Sequence, residues 1–128
     1  MSIISVMSPK GGIGKTTTSD SIAYMLGEEQ GKRVCVLDGD QQGDASKTFG
    51  VIEPDGIGMS ELLEKHECVG GTYKTGDLIR PTEYSHVDII PANGYLMKTD
   101  MNLLLKSEDN QVTRLREALE EVADAYDY

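Results

Sequence analysis

Tryptophan is absent from the sequence and Phe49 is its only phenylalanine, which excludes a core built on large aromatic rings. Aliphatic residues are plentiful instead, and glycines cluster at turn positions rather than in low-complexity tracts, a mixture that suits an ordered α/β domain. Basic residues are in deficit, with 12 Lys and Arg against 22 Asp and Glu and a formal net charge of -10. A phosphodiester backbone is therefore excluded as a direct partner of this segment, because nucleic-acid affinity rests largely on Lys and Arg. Long apolar runs are missing too: the longest are a few residues, against the ~20 that span a bilayer, so no membrane segment is expected. Cysteine is sparse. Cys35 and Cys68 lie far apart without C-x-x-C spacing, and Met1 leads straight into a strand-like run rather than a signal peptide, which points to a reducing cytoplasm. No repeat or linker divides the 128 residues, so one domain is expected, burying roughly two thirds of its unfolded surface.

Hydrophobic patterning predicts strands and helices in alternation. Ile3 to Met7 is a short β-branched and apolar run stopped by Ser8 and Pro9, the pattern of a buried parallel strand. From Lys15 to about Gln30, Ile22, Ala23, Met25 and Leu26 form the apolar stripe of a helix, with Gly31 as its stop. Val34 to Leu37 predicts a second strand, completing a right-handed βαβ unit. Short helices are expected at Ala45 to Phe49, ended by Gly50, and at Met59 to Glu67, and a surface loop from Val69 to Gly76. Val87 to Ile90, closed by Pro91, predicts a third strand, followed by helices at Leu96 to Leu105 and about Asp109 to Ala125. Glu117, Glu120 and Glu121 read as the solvated face of that last helix.

The segment between the first strand and first helix carries the chemistry. Lys10, Gly11, Gly12, Ile13, Gly14, Lys15, Thr16 and Thr17 end as a phosphate loop ends. Glycines let backbone N–H groups converge on phosphate, a lysine reaches the β and γ oxygens, and a hydroxyl serves Mg²⁺. The helix N-terminus that follows adds partial positive charge. The first position of the usual pattern falls on Pro9, and an additional lysine, Lys10, precedes the paired glycines.

With these residues the chain resembles the ParA and MinD family of deviant Walker A ATPases, whose K-G-G-x-G-K-T-T signature is Lys10 to Thr17 here. The resemblance implies a P-loop parallel sheet flanked by helices, with ATP and Mg²⁺ as ligands. It implies that Lys15 holds the phosphates, that Thr16 binds the metal, and that Lys10 reaches across a nucleotide-sandwich homodimer to the partner's phosphates. The device is similar to an arginine finger supplied in trans.

Asp38 and Asp40 follow the second strand, at the carboxyl edge where α/β proteins place ligands. The family reads D-x-D-P-Q-G-N-A-S there, against Asp38, Gly39, Asp40, Gln41, Gln42, Gly43, Asp44, Ala45, Ser46. The resemblance implies that Asp40 orients the attacking water and that Asp38 helps hold the hydrated metal. Gln41 in place of proline loosens the loop, and Asp44 in place of asparagine adds negative charge beside a phosphate site. Pro91, Ala92 and Asn93 resemble the family's I-P-A segment. His66 and His86 lack a third ligand at metal spacing and read as surface residues, and Cys35 as a small buried hydrophobe.

In the family the last helix leads into an apolar strand ending in the Walker B aspartate, whereas this sequence ends at Tyr128. Residues 1–128 are therefore expected to be the amino-terminal part of a single P-loop ATPase domain, with an incomplete sheet. That strand lies between the first and second strands in related folds, so the strands here either pair differently or take cover from another chain. The leading expectation is an ATP-driven dimerisation switch of the ParA type in plasmid or chromosome partitioning, favoured by the Q-G-x-A-S stretch. A ParB-like stimulating partner and nonspecific DNA are expected for the full-length protein. A MinD-type positioning ATPase on a membrane and a noncatalytic binding fragment stay open as alternatives.

Overall fold

The computed structural model describes residues 1–8, 10–53, 55–64, 67–68, 71–105 and 111–128. Helix α1 spans Lys15–Tyr24, and wider π-type turns continue it over Met25–Glu29, closed by Gln30 N–H to Met25 O at 3.1 Å. Strand β1 is Val34–Leu37, α2 is Asp44–Thr48 and α3 is Met59–Leu63. A hairpin of β2 (Glu67–Cys68) and β3 (Gly71–Thr72) precedes α4 (Thr75–Leu78) and β4 (Arg80–Pro81). Strand β5 (Val87–Ile90), α5 (Leu96–Leu105) and α6 (Gln111–Glu120) complete the order.

The sheet runs β1-β5-β4. β1 and β5 are parallel, in register from Val34 opposite Val87 to Leu37 opposite Ile90, and β4 is antiparallel to β5. Side chains alternate across a strand, so the sheet has two apolar faces. Val34, Val87 and Ile89 pack with Ala23 of α1 and with Phe49 on one face. Ile90, joined by Cys35 and Leu37, packs with Met59, Leu62, Leu78, Leu96 and Ala118 on the other. Helices thus cover both faces, as a parallel sheet requires, and the expected α/β architecture is the one found.

The strand expected at Ile3 to Met7 does not form. Ile3, Ile4 and Met7 are exposed, and Ser2 N–H to Asp127 O, at 2.7 Å, is the backbone bond that ties this segment to another. An apolar run becomes a strand only where a neighbour completes its ladder, and β1 finds its parallel neighbour in β5 instead. Between the first segment and β1 lie residues 126–128: Asp127 and Tyr128 donate to Arg33 O at 2.8 and 3.2 Å, and Cys35 N–H donates to Tyr128 O at 3.1 Å. The order therefore keeps the gap that the resemblance implies, and the alternative pairing of the two strands is not formed.

Other differences are local. The helix from Met59 stops at Leu63, and Glu67 lies in a strand. The expected loop from Val69 holds β3 and α4. The last helix ends at Glu120 and continues as turns to Ala125. The readings of Pro9 as a strand stop, of His66 as a surface residue, of a loop at Val69 and Gly70, and of a helix start near Asp109 lie outside the described residues.

Candidate phosphate-binding site

Residues 10–14 form an irregular loop that enters α1 through Gly14. Gly12 and Gly14 have φ of 70° and 85°, left-handed values that residues with a β-carbon rarely adopt. No atom lies within 4 Å of where a β-carbon would sit on Gly11, Gly12 or Gly14, so the loop faces open space on that side. Helix α1 has no side-chain N-cap and no acidic residue in its first turn, and its first backbone bond is Thr18 N–H to Gly14 O at 2.9 Å. The amides of Lys15, Thr16 and Thr17 accordingly have no acceptor within the helix, the arrangement that receives an anion. Lys15 Nζ bends back to donate to Lys10 O at 3.3 Å, and Lys10 N–H donates to Ser8 Oγ at 3.2 Å. The Lys15 ammonium therefore folds over the loop onto the Lys10 backbone, with Lys10 and Ile13 exposed and Thr16 half-buried.

The acidic turn is built differently. Asp38 continues the sheet by donating its N–H to Ile90 O at 3.1 Å, and its side chain is buried. One carboxylate oxygen, Oδ2, accepts Ser46 N–H at 2.8 Å and the Ser46 hydroxyl at 2.6 Å, while Oδ1 accepts Asp40 N–H at 3.3 Å. Ser46 Oγ in turn accepts Ala92 N–H at 3.0 Å. This relay fastens the ends of β1 and β5 to the start of α2. Asn93 extends it: Nδ2 donates to Glu61 Oε2 at 2.8 Å and Gly56 O at 2.9 Å. Asp40 is exposed, and its Oδ1 accepts Gln42 N–H at 2.9 Å. Gln41 Nε2 donates to Asp100 Oδ2 at 2.6 Å, which restrains the loop where proline is lacking. Asp44 pairs with Lys47 at 2.9 Å, which offsets part of the charge it adds.

Asp20 links the two halves. It stands four residues after Thr16, on the same face of α1. Burial, and then the charge of Asp38, push its carboxyl above the ordinary value, against a hydrogen bond from Thr48 that lowers it. Asp38 therefore lies near enough for its charge to act on Asp20. No direct contact joins Asp40 to Lys10 or Lys15 among the described residues. Asp20 and Ser46 escape a sequence reading. Ser46 carried a signal in the Q-G-x-A-S stretch, whereas Asp20 resembles any polar residue on a helix.

The arrangement suits phosphate: the Lys15 ammonium over the loop, a row of amides without helical acceptors, and open space. A metal fits less directly. Three protein donors already occupy the Asp38 carboxylate, which offers about four lone-pair sites. That leaves it able to accept from a metal-bound water rather than to ligate. Among the described residues no group of three or more His, Cys, Asp or Glu could hold an ion by itself. Mg²⁺ ordinarily binds through waters, one or two protein oxygens and substrate phosphates, so the Thr16 hydroxyl beside a bound nucleotide would be enough to hold it. Cys35 is half-buried in β1, and burial followed by the charge of Asp88 pushes its thiol up to about 12, so it is no nucleophile at neutral pH. His86 is exposed, 3.6 Å from Glu28. No described helix is long and apolar enough to cross a membrane.

A profile of the AAA domain family matches residues 1–128. The chromosome partitioning protein ParA of Myxococcus xanthus (strain DK1622) is 32% identical over 126 residues, covering 98% of this chain and 42% of the relative. The sporulation initiation inhibitor protein Soj of Bacillus subtilis (strain 168) is 33% identical over 126 residues, covering 98% and 47%. The crystal structure of cobyrinic acid a,c-diamide synthase from Mycobacterium smegmatis, with a bound ATP analogue and magnesium, superimposes with a TM-score of 0.79 at 28% identity, covering 94% of this chain and 46% of that one. The chain thus spans less than half the length of these relatives.

Proposed function

The chain belongs to the AAA domain family, among ATPases of the ParA and MinD type, and from that premise we propose that the Lys10–Thr17 loop binds the phosphates of Mg-ATP in a partitioning ATPase. The observation that carries this reading is the loop itself, with Lys15 Nζ on Lys10 O and the first-turn amides of α1 without helical acceptors. In this reading Lys15 and those amides hold the β and γ phosphates, and Thr16 supplies a hydroxyl to Mg²⁺. The metal would neutralise charge developing on the phosphate oxygens. Asp38, fixed by Ser46, would accept a hydrogen bond from a metal-bound water, and exposed Asp40 would orient the attacking water. Lys10, exposed at the loop's rim, reaches the phosphates of a second copy, so that ATP drives dimerisation and hydrolysis resets it. Such a switch would act in the cytoplasm on plasmid or chromosomal DNA, with a ParB-like partner and nonspecific DNA engaged by the whole protein.

Sedimentation of the chain with and without Mg-ATP tests this. ATP-dependent dimers, lost in Lys10→Ala while monomer affinity for ATP persists, are expected. ATP-bound monomers indistinguishable from Lys10→Ala would contradict the role in trans. A second reading for the 128 residues alone is noncatalytic phosphate binding, favoured by the lack of a direct contact from Asp40 to Lys10 or Lys15 among the described residues. ATP hydrolysis that Lys15→Ala abolishes would exclude it.

A further inference from the structure

On the sheet face covered by α1, away from the phosphate loop's lysines, Asp20, Tyr24, Thr48, Phe49 and Tyr84 line an open groove of about 420 Å³. Tyr84 stands edge-to-face with Tyr24 at 5.4 Å between ring centroids and with Phe49 at 6.0 Å. Phe49 is sealed in the core while Tyr24 is 43% exposed, so the trio presents aromatic surface on a fixed base. Asp20 lies at the same groove. Its Oδ1 is shielded from solvent and has no hydrogen-bond partner, an uncompensated acceptor that ordinarily costs stability. No residue lining the groove is cationic. Glu83 and Glu28 add to the negative field at Tyr84, and Glu28 Oε1 lies 3.6 Å from His86 Nδ1.

We propose that this groove binds the guanidinium of an arginine side chain from a partner protein, stacked on the exposed Tyr24 ring and hydrogen-bonded to Asp20. The chemistry selects the occupant. Aromatic faces attract cations through their quadrupole, and guanidinium combines that attraction with planar stacking. Its forked donors also match a carboxylate, and Asp20 is the one acid among the described residues that line the groove. The groove is too open to enclose a small amine, whereas a side chain on an extended segment needs no enclosure. The binding makes no use of Lys10, Lys15 or Asp38, so it stands or falls separately from nucleotide binding.

Amide chemical shifts of the 128-residue chain, titrated with a capped peptide holding one arginine, test the proposal. The same peptide with citrulline, nearly the same shape without the charge, is the control. Saturable shifts at Asp20, Tyr24 and Tyr84 are expected, at least fivefold weaker with citrulline. Asp20→Asn, which keeps shape and fold, and Tyr24→Leu, at an exposed position, should each weaken the arginine response at least fivefold. Equal responses to both peptides, or undiminished arginine binding by a folded Asp20→Asn chain, would overturn it. So would capped arginine alone binding as tightly as the peptide, since the occupant would then be a free cation.

Discussion

Replacing Ser46 with alanine tests the relay that positions Asp38. The side chain is buried, donates to Asp38 Oδ2 at 2.6 Å and accepts from Ala92 N–H at 3.0 Å, so one oxygen serves a buried charge and a buried amide. A hydrogen bond to a charged group contributes about 1.5–3 kcal/mol, and stranding a buried N–H costs about 1–3 kcal/mol. Asp38 keeps the Ser46 and Asp40 amides, and the two losses share one atom, so they do not simply add. A destabilisation of roughly 2–4 kcal/mol is expected. With a urea slope of about 2 kcal/mol per molar, in the middle of the usual range, the unfolding midpoint should fall by about 1–2 M. Combining Ser46→Ala with Asp38→Asn separates the shared bond from general damage: the double variant should lose at least ~1 kcal/mol less than the sum of the singles. A single-variant loss under ~0.5 kcal/mol, the range of ordinary surface substitutions, or strict additivity would refute the reasoning.

A β-carbon on Gly58 would sit 2.3 Å from Pro91 O, an immovable backbone atom, so Gly58→Ala should destabilise by about 1–3 kcal/mol in the same urea titration. The raised carboxyl of Asp20 means the folded state holds that proton more tightly than the unfolded chain, so stability is lost as pH rises from the ordinary 3.8 through the raised value. Asp20→Asn should therefore be more stable than the parent at pH 7, with the difference shrinking below pH 3.8, as unfolding curves at both pH values would report. With the Cys35 thiol at about 12 against an ordinary 9.0, its thiolate fraction at pH 8 is roughly 10³-fold lower. Peptide mapping after iodoacetamide treatment should show Cys35 labelled at least that much more slowly in the folded chain than in urea.

What was legible in the sequence was what depends on near neighbours. Val34 to Leu37, Val87 to Ile90 and Leu96 to Leu105 appear with the boundaries their patterns predict. The phosphate loop is local too, since its left-handed turns fall on Gly12 and Gly14, the residues the motif supplies for them. Ile3 to Met7 misled because composition marks a strand's faces and says nothing of whether a ladder partner stands beside it. Strand β4 was hidden for the opposite reason: two residues, one of them Pro81, carry no periodicity and pair only because β5 presents an edge. The acids at Asp38 and Asp40 were visible as a motif. Their different fates, one buried in a relay and one exposed, depend on Ala92, 46 positions beyond Ser46, and no local pattern conveys that.

The account's central claim is that the loop from Lys10 to Thr17 binds nucleotide phosphates through Lys15. Calorimetric titration of the 128-residue chain with Mg-ATP, beside Lys15→Ala, tests it most directly. Loss of the charged hydrogen bonds from Lys15 should weaken binding roughly ten- to hundredfold, with the variant's unfolding curve unchanged, because among the described residues the ammonium's hydrogen bond is an exposed one to Lys10 O. Equal affinity for the two chains, or a parent chain that binds no Mg-ATP, would contradict it.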